Sequence, residues 1–204
     1  MAYNLLKGKR GIVFGALDDS SIAWKVAERC HEEGATFVLS NAALAMKMGA
    51  IHDLAEKTGS QIVPADATSI EEIENLFTQA EEILGGKIDF ILHSIGMSPN
   101  IRKKKPYESL NYDWYMKSMD VSALSFHKIM SVAYKKDHMN DGGSILALSY
   151  IAAQRVFPDY TDMAQAKACL ESIARSFGYI FAKKNNVRVN TISQSPTVTT
   201  AGKG

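Results

Sequence analysis

The stretch YIAAQRVFPDYTDMAQAK, residues 150–167, carries two phenols and an ammonium at spacings that can do chemistry. Tyr160 and Lys167 stand seven positions apart across a segment of helical character. At 3.6 residues per turn, positions i and i+7 return to nearly the same face, so a phenol and an ammonium can point into one pocket. That arrangement can be catalytic. It also occurs as a half-buried ring beside a lysine whose stem lies along apolar surface, and the spacing alone leaves both readings open.

The elements that must position this pair follow from the hydrophobic pattern. RGIVFG (10–15) reads as a strand, and SIAWKVAERCHEEG (21–34) as a helix in which Ile22, Val26 and Cys30 recur every fourth residue until Gly34 stops it. The alternation then repeats. TFVLS (36–40) and QIVPAD (61–66) read as strands, AMKMGAIHDLAEKTG (45–59) as a helix, and SIEEIENLFTQAEEILGG (69–86) as a helix opened by a Ser69–Glu72 capping box. KIDFILHS (87–94) is a strand, followed by a polar loop to about Asn111 and a long helix to about Met139. GSILALS (143–149), a helix over about 159–184 and VRVNTIS (187–193) complete the chain as strand, helix and strand. Near-continuous apolar strands separated by helices call for a parallel sheet covered on both faces, with right-handed crossovers. The expected fold is α/β: a single-domain, Rossmann-type doubly wound parallel sheet with helices on both faces.

Composition agrees with a soluble globular domain. The 204 residues are 46% hydrophobic and 22% charged, with a formal net charge of +1, which implies neither disorder nor a polyanionic partner. Cys30 and Cys169 each fall in a helical segment without disulfide or metal-ligand spacing, as expected of reduced core thiols in the cytoplasm. The N-terminal residues show no signal-peptide pattern, and no run approaches the roughly 18 apolar residues of a membrane span. The run RKKK (102–105) is expected to be solvated, with a landing surface for an acidic carrier protein as the second reading.

In a doubly wound sheet the ligand lies beyond the C-terminal strand ends. The first strand runs into GALDDSSIAW, where only Gly15 of a G-x-G-x-x-G fingerprint is present. Ser20 or Ser21 can cap the next helix, whose N-terminus favours a pyrophosphate, while Asp18 and Asp19 would oppose one unless turned to solvent. At the second strand end, Ser40, Asn41 and Ala42 offer neither the acid that bonds a ribose 2′-hydroxyl nor the arginine that accommodates a 2′-phosphate. The missing cation favours NADH over NADPH. His93, at the fourth strand end, reads as a structural histidine, and Gly96 permits close backbone approach.

The segments GALDDSSIAW, LHSIGMSP, LALSYIAAQRVFPDYTDMAQAKACLES and VRVNTISQSPTVTTAG, in this order, resemble the enoyl-acyl carrier protein reductases of bacterial fatty-acid synthesis. These are a divergent branch of the short-chain dehydrogenase/reductases. The Tyr-x6-Lys pair with a second tyrosine ten residues upstream, and Gly15 followed by Ser21-Ile22-Ala23 in place of the glycine triplet, are the marks of that branch. The resemblance implies reduction of the trans-2 double bond of an enoyl thioester by NADH. The site must then supply a donor to the charge developing on the thioester oxygen.

By the same resemblance, Tyr160 is the donor and Lys167 holds the nicotinamide ribose, its charge expected to lower the tyrosine pKa. Tyr150 lines the acyl site, and Ser98 and Met163 contact substrate. Gly15, Ser21, Ile22, Asp66, Ala67 and Ile95 touch the dinucleotide, with Thr197, Thr199 and Ala201 along its pyrophosphate and nicotinamide. No metal is expected. The resemblance further implies one reductase domain over 1–204 that ends where the family's substrate-covering loop begins. It implies a homotetramer as well, and Ala164, Ala168, Ala174 and Gly178 among Leu170, Ile173, Phe177 and Ile180 read as the apolar stripe of its interface. A ketone- or alcohol-directed relative should show Tyr-x3-Lys, which is not found here. A non-catalytic dinucleotide-binding scaffold should lack Tyr160 or Lys167.

Overall fold

The computed structural model describes residues 2–48 and 50–194. Its strands are β1 (Arg10–Phe14), β2 (Thr36–Ser40), β3 (Gln61–Ile62), β4 (Ile88–His93), β5 (Met139–Tyr150) and β6 (Arg188–Gln194). All pair in parallel, in the order β3-β2-β1-β4-β5-β6. The direction of travel across the sheet reverses between β1 and β4, so a crevice opens above their C-terminal ends. The expected doubly wound sheet is the fold observed.

Residues alternate between two cores, as the pleat requires. Ile12, Phe14, Val38 and Ile91 face one side with Phe77, Phe126, Leu170 and Phe181, whereas Val13, Leu39, Leu92 and Leu148 face the other with Trp24, Ala27 and Leu54. The first core is covered by α4 (Ile70–Leu84), α7 (Ser125–Lys135) and α8 (Thr161–Asn185), the second by α1 (Ile22–Glu32) and α3 (Ile51–Thr58). Each large apolar side chain so buried contributes about 1.5–3 kcal/mol.

Several elements differ from the sequence reading, each for a local reason. The helix expected over 45–59 is two helices, α2 (Ala43–Met48) and α3. β3 is only two residues long because Pro64 has no N–H, although Val63 and Ala65 still donate to Leu39 and Asn41 carbonyls. Ser69 caps α4 by accepting from the Glu72 N–H, but the Glu72 carboxylate reaches the Asp66 N–H at 2.7 Å rather than the Ser69 N–H of a capping box. The polar loop contains α5 (Pro99–Arg102) and a 3₁₀ turn at Tyr107–Ser109. The long helix is α6 (Tyr112–Met119), a π turn (Asp120–Leu124) and α7, which ends at Lys135. β5 begins four residues earlier than expected, with a register shift between Ile88 and Phe90 of its partner.

The exposed stripe expected on α8 is absent. Leu170, Ile173, Ala174 and Phe177 are buried within the chain, Ile180 packs on the same core, and Gly178 faces β6, where an added Cβ would lie 3.6 Å from the Val189 carbonyl oxygen. The apolar surplus of this helix serves its own sheet. Its outer side instead exposes Ala168, Ser172, Arg175, Ser176 and Tyr179.

Candidate active site

The crevice starts at Gly15, directly after β1. Its φ is +90°, and a Cβ there would lie 2.0 Å from the Ser94 carbonyl oxygen at the end of β4. Only glycine lets the two central strand ends approach this closely. The chain then tightens around Ser21, whose hydroxyl donates to the Asp18 carbonyl at 2.8 Å and accepts from the N–H groups of Leu17 and Trp24. The Asp18 carboxylate closes a local turn, accepting from the Ser20 N–H and hydroxyl, while Asp19 is exposed. Ile22 opens α1 at this edge of the sheet.

At the end of β2 the Ser40 hydroxyl is fully buried and has no hydrogen-bond partner. Asn41 donates its amide to the Ala16 carbonyl at 3.0 Å, and Lys47, on α2, is exposed. Further along, the Asp66 carboxylate closes a local turn by accepting from the Thr68 N–H and hydroxyl, both at 2.8 Å. Ala67 is buried, and Ile95 packs against the first core. A close-approach glycine, a helix N-terminus and an unpaired hydroxyl at the second strand end fit a dinucleotide without a 2′-phosphate. Thr197, Thr199 and Ala201 lie outside the described residues.

The reactive side chains gather at the C-terminal end of β5. Tyr150 ends that strand, and its ring lies 4.5 Å from that of Tyr160, tilted by 43°. Tyr160 immediately precedes α8, and Lys167 lies two turns into that helix. Lys167 is 6% exposed and donates to the Leu148 carbonyl of β5 at 2.7 Å. Gly96 runs over it: a Cβ there would lie 3.2 Å from the Met163 methyl and 3.7 Å from the Lys167 Nζ. Met163 is buried and its sulfur accepts from the Ser122 hydroxyl at 3.3 Å. Ser98 is buried too, and its hydroxyl is engaged twice, donating to Asp162 at 2.7 Å and capping α5 by accepting from the Ile101 N–H.

The electrostatics reverse one expectation. Burial, with a smaller contribution from Tyr150, pushes the Tyr160 phenol up to about 12 rather than down. Lys167 is tied to the β5 carbonyl, and burial lowers its own pKa to about 8. Desolvation therefore sets the direction of the Tyr160 shift. The phenol is protonated at neutral pH, the state a hydrogen-bond donor requires.

A phenol and a buried lysine thus meet the strand ends where a doubly wound sheet holds its ligand, and comparison with known proteins gives the family. The family model described as Enoyl-(Acyl carrier protein) reductase matches residues 15–204. The chain belongs to this family. Enoyl-acyl-carrier-protein reductase (NADH) 1 of Rhizobium meliloti (strain 1021) is 37% identical over 205 residues, covering 100% of this chain and 73% of the relative. The FabI enzyme of Bacillus subtilis (strain 168), named as an NADH enoyl-acyl-carrier-protein reductase, is 33% identical, covering 98% of this chain and 76% of its own. The crystal structure of the FabI–NADH complex from Alistipes finegoldii superposes with a TM-score of 0.97 at 63% identity, covering 98% of this chain and 71% of that one.

Three further polar residues of this enoyl-acyl carrier protein reductase escaped the sequence reading. Asp162 is 0% exposed, and Glu171 is buried while accepting from the Ser149 hydroxyl at 2.6 Å and the Gln154 amide at 3.2 Å. Asp162 was detectable, because it falls on the same helical stripe as Ala166, Leu170, Ile173 and Phe177, and a carboxylate on an apolar stripe must have partners. Asn100 is the third, buried between Asp162 and Asn111. His93 is structural, as expected. It is fully buried, and burial first, then the Lys167 charge, lowers its pKa to about 3. Its Nε2 lies 2.9 Å from the Ser125 hydroxyl, which gives its own proton to the Val121 carbonyl, so Nε2 carries the imidazole proton.

Proposed function

We propose that this chain reduces the trans-2 double bond of enoyl-acyl carrier protein thioesters with NADH in bacterial fatty-acid elongation. The observation that carries the reading is the Tyr160 ring against Tyr150 at the end of β5, the strand whose Leu148 carbonyl holds buried Lys167, in a member of this family. NADH, when bound, supplies the hydride. As the β-carbon is reduced, negative charge grows on the thioester oxygen, and the Tyr160 O–H is the donor aimed at it. Lys167 has one N–H on Leu148 and two left for the ribose hydroxyls. Gly15, Ser21, Ile22, Asp66, Ala67 and Ile95 line the dinucleotide. Tyr150 and Met163 line the acyl side, and Ser98 shapes that wall through its bonds to Asp162 and α5.

The test is NADH oxidation followed by absorbance with crotonyl thioester, repeated with NADPH. Turnover is expected with both, with kcat/KM at least about tenfold higher for NADH, because a 2′-phosphate at Asn41 would be buried without a charge partner. Equal values for the two cofactors would refute this account of the pocket. Cofactor binding without any turnover would favour the scaffold reading.

Three further features complete the proposal. Among the described residues no helix is long and apolar enough to cross a membrane, and both cysteines are free with thiol pKa values raised by burial, which supports a cytoplasmic enzyme. The 102–105 run is exposed and, among the described residues, without an ion-pair partner, which fits an acidic carrier. A homotetramer is supported by apolar groups on α6 and α8 that this chain leaves uncovered: Tyr112 at 81%, Met116 at 64% and Tyr179 at 62% exposure. Light scattering should give a tetramer that Met116→Glu dissociates. A monomer mass at micromolar concentration would overturn the assignment.

A further inference from the structure

Asp162 is a fully buried carboxylate that, among the described residues, no cation touches. Its Oδ1 accepts from the hydroxyls of Ser98 at 2.7 Å and Thr161 at 3.1 Å, and its Oδ2 from the Ser118 hydroxyl at 2.7 Å and the Asn100 amide at 3.0 Å. These donors come from three separate pieces of chain: the segment after β4, α6 and the start of α8 itself. Asn100 extends the network by pairing both ways with the backbone of Asn111, whose side chain in turn caps α6 by accepting from the Trp114 N–H. A buried charge is tolerable only when its lone pairs are filled, and here neutral donors and the N-terminal end of the α8 dipole fill them.

The link between this carboxylate and the reactive phenol is strained. Thr161, the single residue between Tyr160 and Asp162, has φ +26° and ψ −125°, a conformation that β-branched residues rarely adopt. Such a conformation persists only where its surroundings hold it from both sides. On one side Thr161 is held by its own hydroxyl bond to Asp162; on the other, Tyr160 donates its N–H to the Phe157 carbonyl and packs its tilted ring against Tyr150. Freed from the carboxylate, Thr161 would relax to an ordinary backbone angle and carry Tyr160 away from Tyr150.

We infer that Asp162 is a positioning residue for the reduction: it clamps the Thr161 link and thereby fixes where the Tyr160 O–H points. The kinetic part of this inference rests on the proposed reductase activity. Asp162→Asn is measured alone and in the Tyr160→Phe background, with crotonyl thioester and with NADH affinity read by fluorescence. Alone it is expected to lower kcat about 30-fold, the scale of a misplaced catalytic group, while the NADH dissociation constant stays within about twofold. In the Tyr160→Phe background the further loss should be less than about twofold, because the clamp acts through that phenol. Equal losses in the two backgrounds would show a general structural role and overturn the inference. Should Asp162→Asn not fold, Ser118→Ala removes one of the four donors and is read the same way, with about a threefold loss expected. A measurement without turnover separates this result from a failure of the proposed activity. In protein labelled with ¹³C at the tyrosine ζ carbons, the Tyr160 signal, assigned by its disappearance in Tyr160→Phe, should shift in Asp162→Asn and in Ser118→Ala. If it does not move, Asp162 does not position Tyr160, whatever the enzyme reduces.

Discussion

Tyr160→Phe is expected to lower kcat about a hundredfold or more while the NADH dissociation constant stays within about twofold. The substitution removes one O–H and keeps the ring, so the 4.5 Å contact with Tyr150 and the packing against the first core survive. What is lost is a donor to an oxygen that becomes negatively charged only as the reaction proceeds, and such donors are worth about 10²–10³ in kcat. NADH affinity should be spared because the proposed ribose partner is Lys167, not the phenol. Tyr150→Phe is the control: in its proposed lining role, Tyr150 should affect KM for the thioester more than kcat. Equal falls in kcat for the two variants would show that the donor role is shared, and a wild-type rate in Tyr160→Phe would remove it.

Lys167→Met should act in opposite directions on activity and stability. Losing two charged hydrogen bonds to the ribose is expected to weaken NADH binding at least about tenfold, and turnover falls with it. In the ligand-free protein the same lysine is a liability. Its pKa is lowered from 10.5 to about 8 by burial, so holding the cation inside destabilises the fold by up to about 3 kcal/mol below pH 8. Between about 8 and 10.5 the folded lysine has released its proton while the unfolded one still holds it, and stability from this source therefore rises with pH. Leaving the Leu148 carbonyl without its donor offsets part of the gain, by about 1–3 kcal/mol. Urea melts at neutral pH and at about pH 9.5 should show wild type gaining on the variant as the pH rises. The same stability difference at both values would mean that Lys167 carries no such burden.

How much of this was legible beforehand depended on the kind of signal. β2 coincides with the run TFVLS, and Ser21 and Ser69 cap α1 and α4, because strand periodicity and capping chemistry are local properties. The π turn at Asp120–Leu124 was invisible, since one extra residue in a turn leaves an apolar pattern that still reads as a helix. The α8 stripe was seen but assigned to a partner; only the tertiary fold shows that Leu170 and Phe177 face their own sheet. The direction of the Tyr160 shift was likewise out of reach, because charge is written in the residue types and desolvation is not. Asp162 was given no role from the sequence, although its place on a stripe with Ala166, Leu170, Ile173 and Phe177 was the clue.

The sheet order has a consequence for how the protein is made. β1 is complete at Phe14 and can pair with β2 as soon as Ser40 has emerged, but its other neighbour begins only at Ile88. At the pace of ribosomal synthesis the interval is about 3–10 seconds. Throughout it, one edge of the Ile12-Val13-Phe14 run has its N–H and C=O groups unladdered, the condition that invites pairing with a wrong strand. The floor of the crevice, where Gly15 meets Ser94, cannot close until that wait is over.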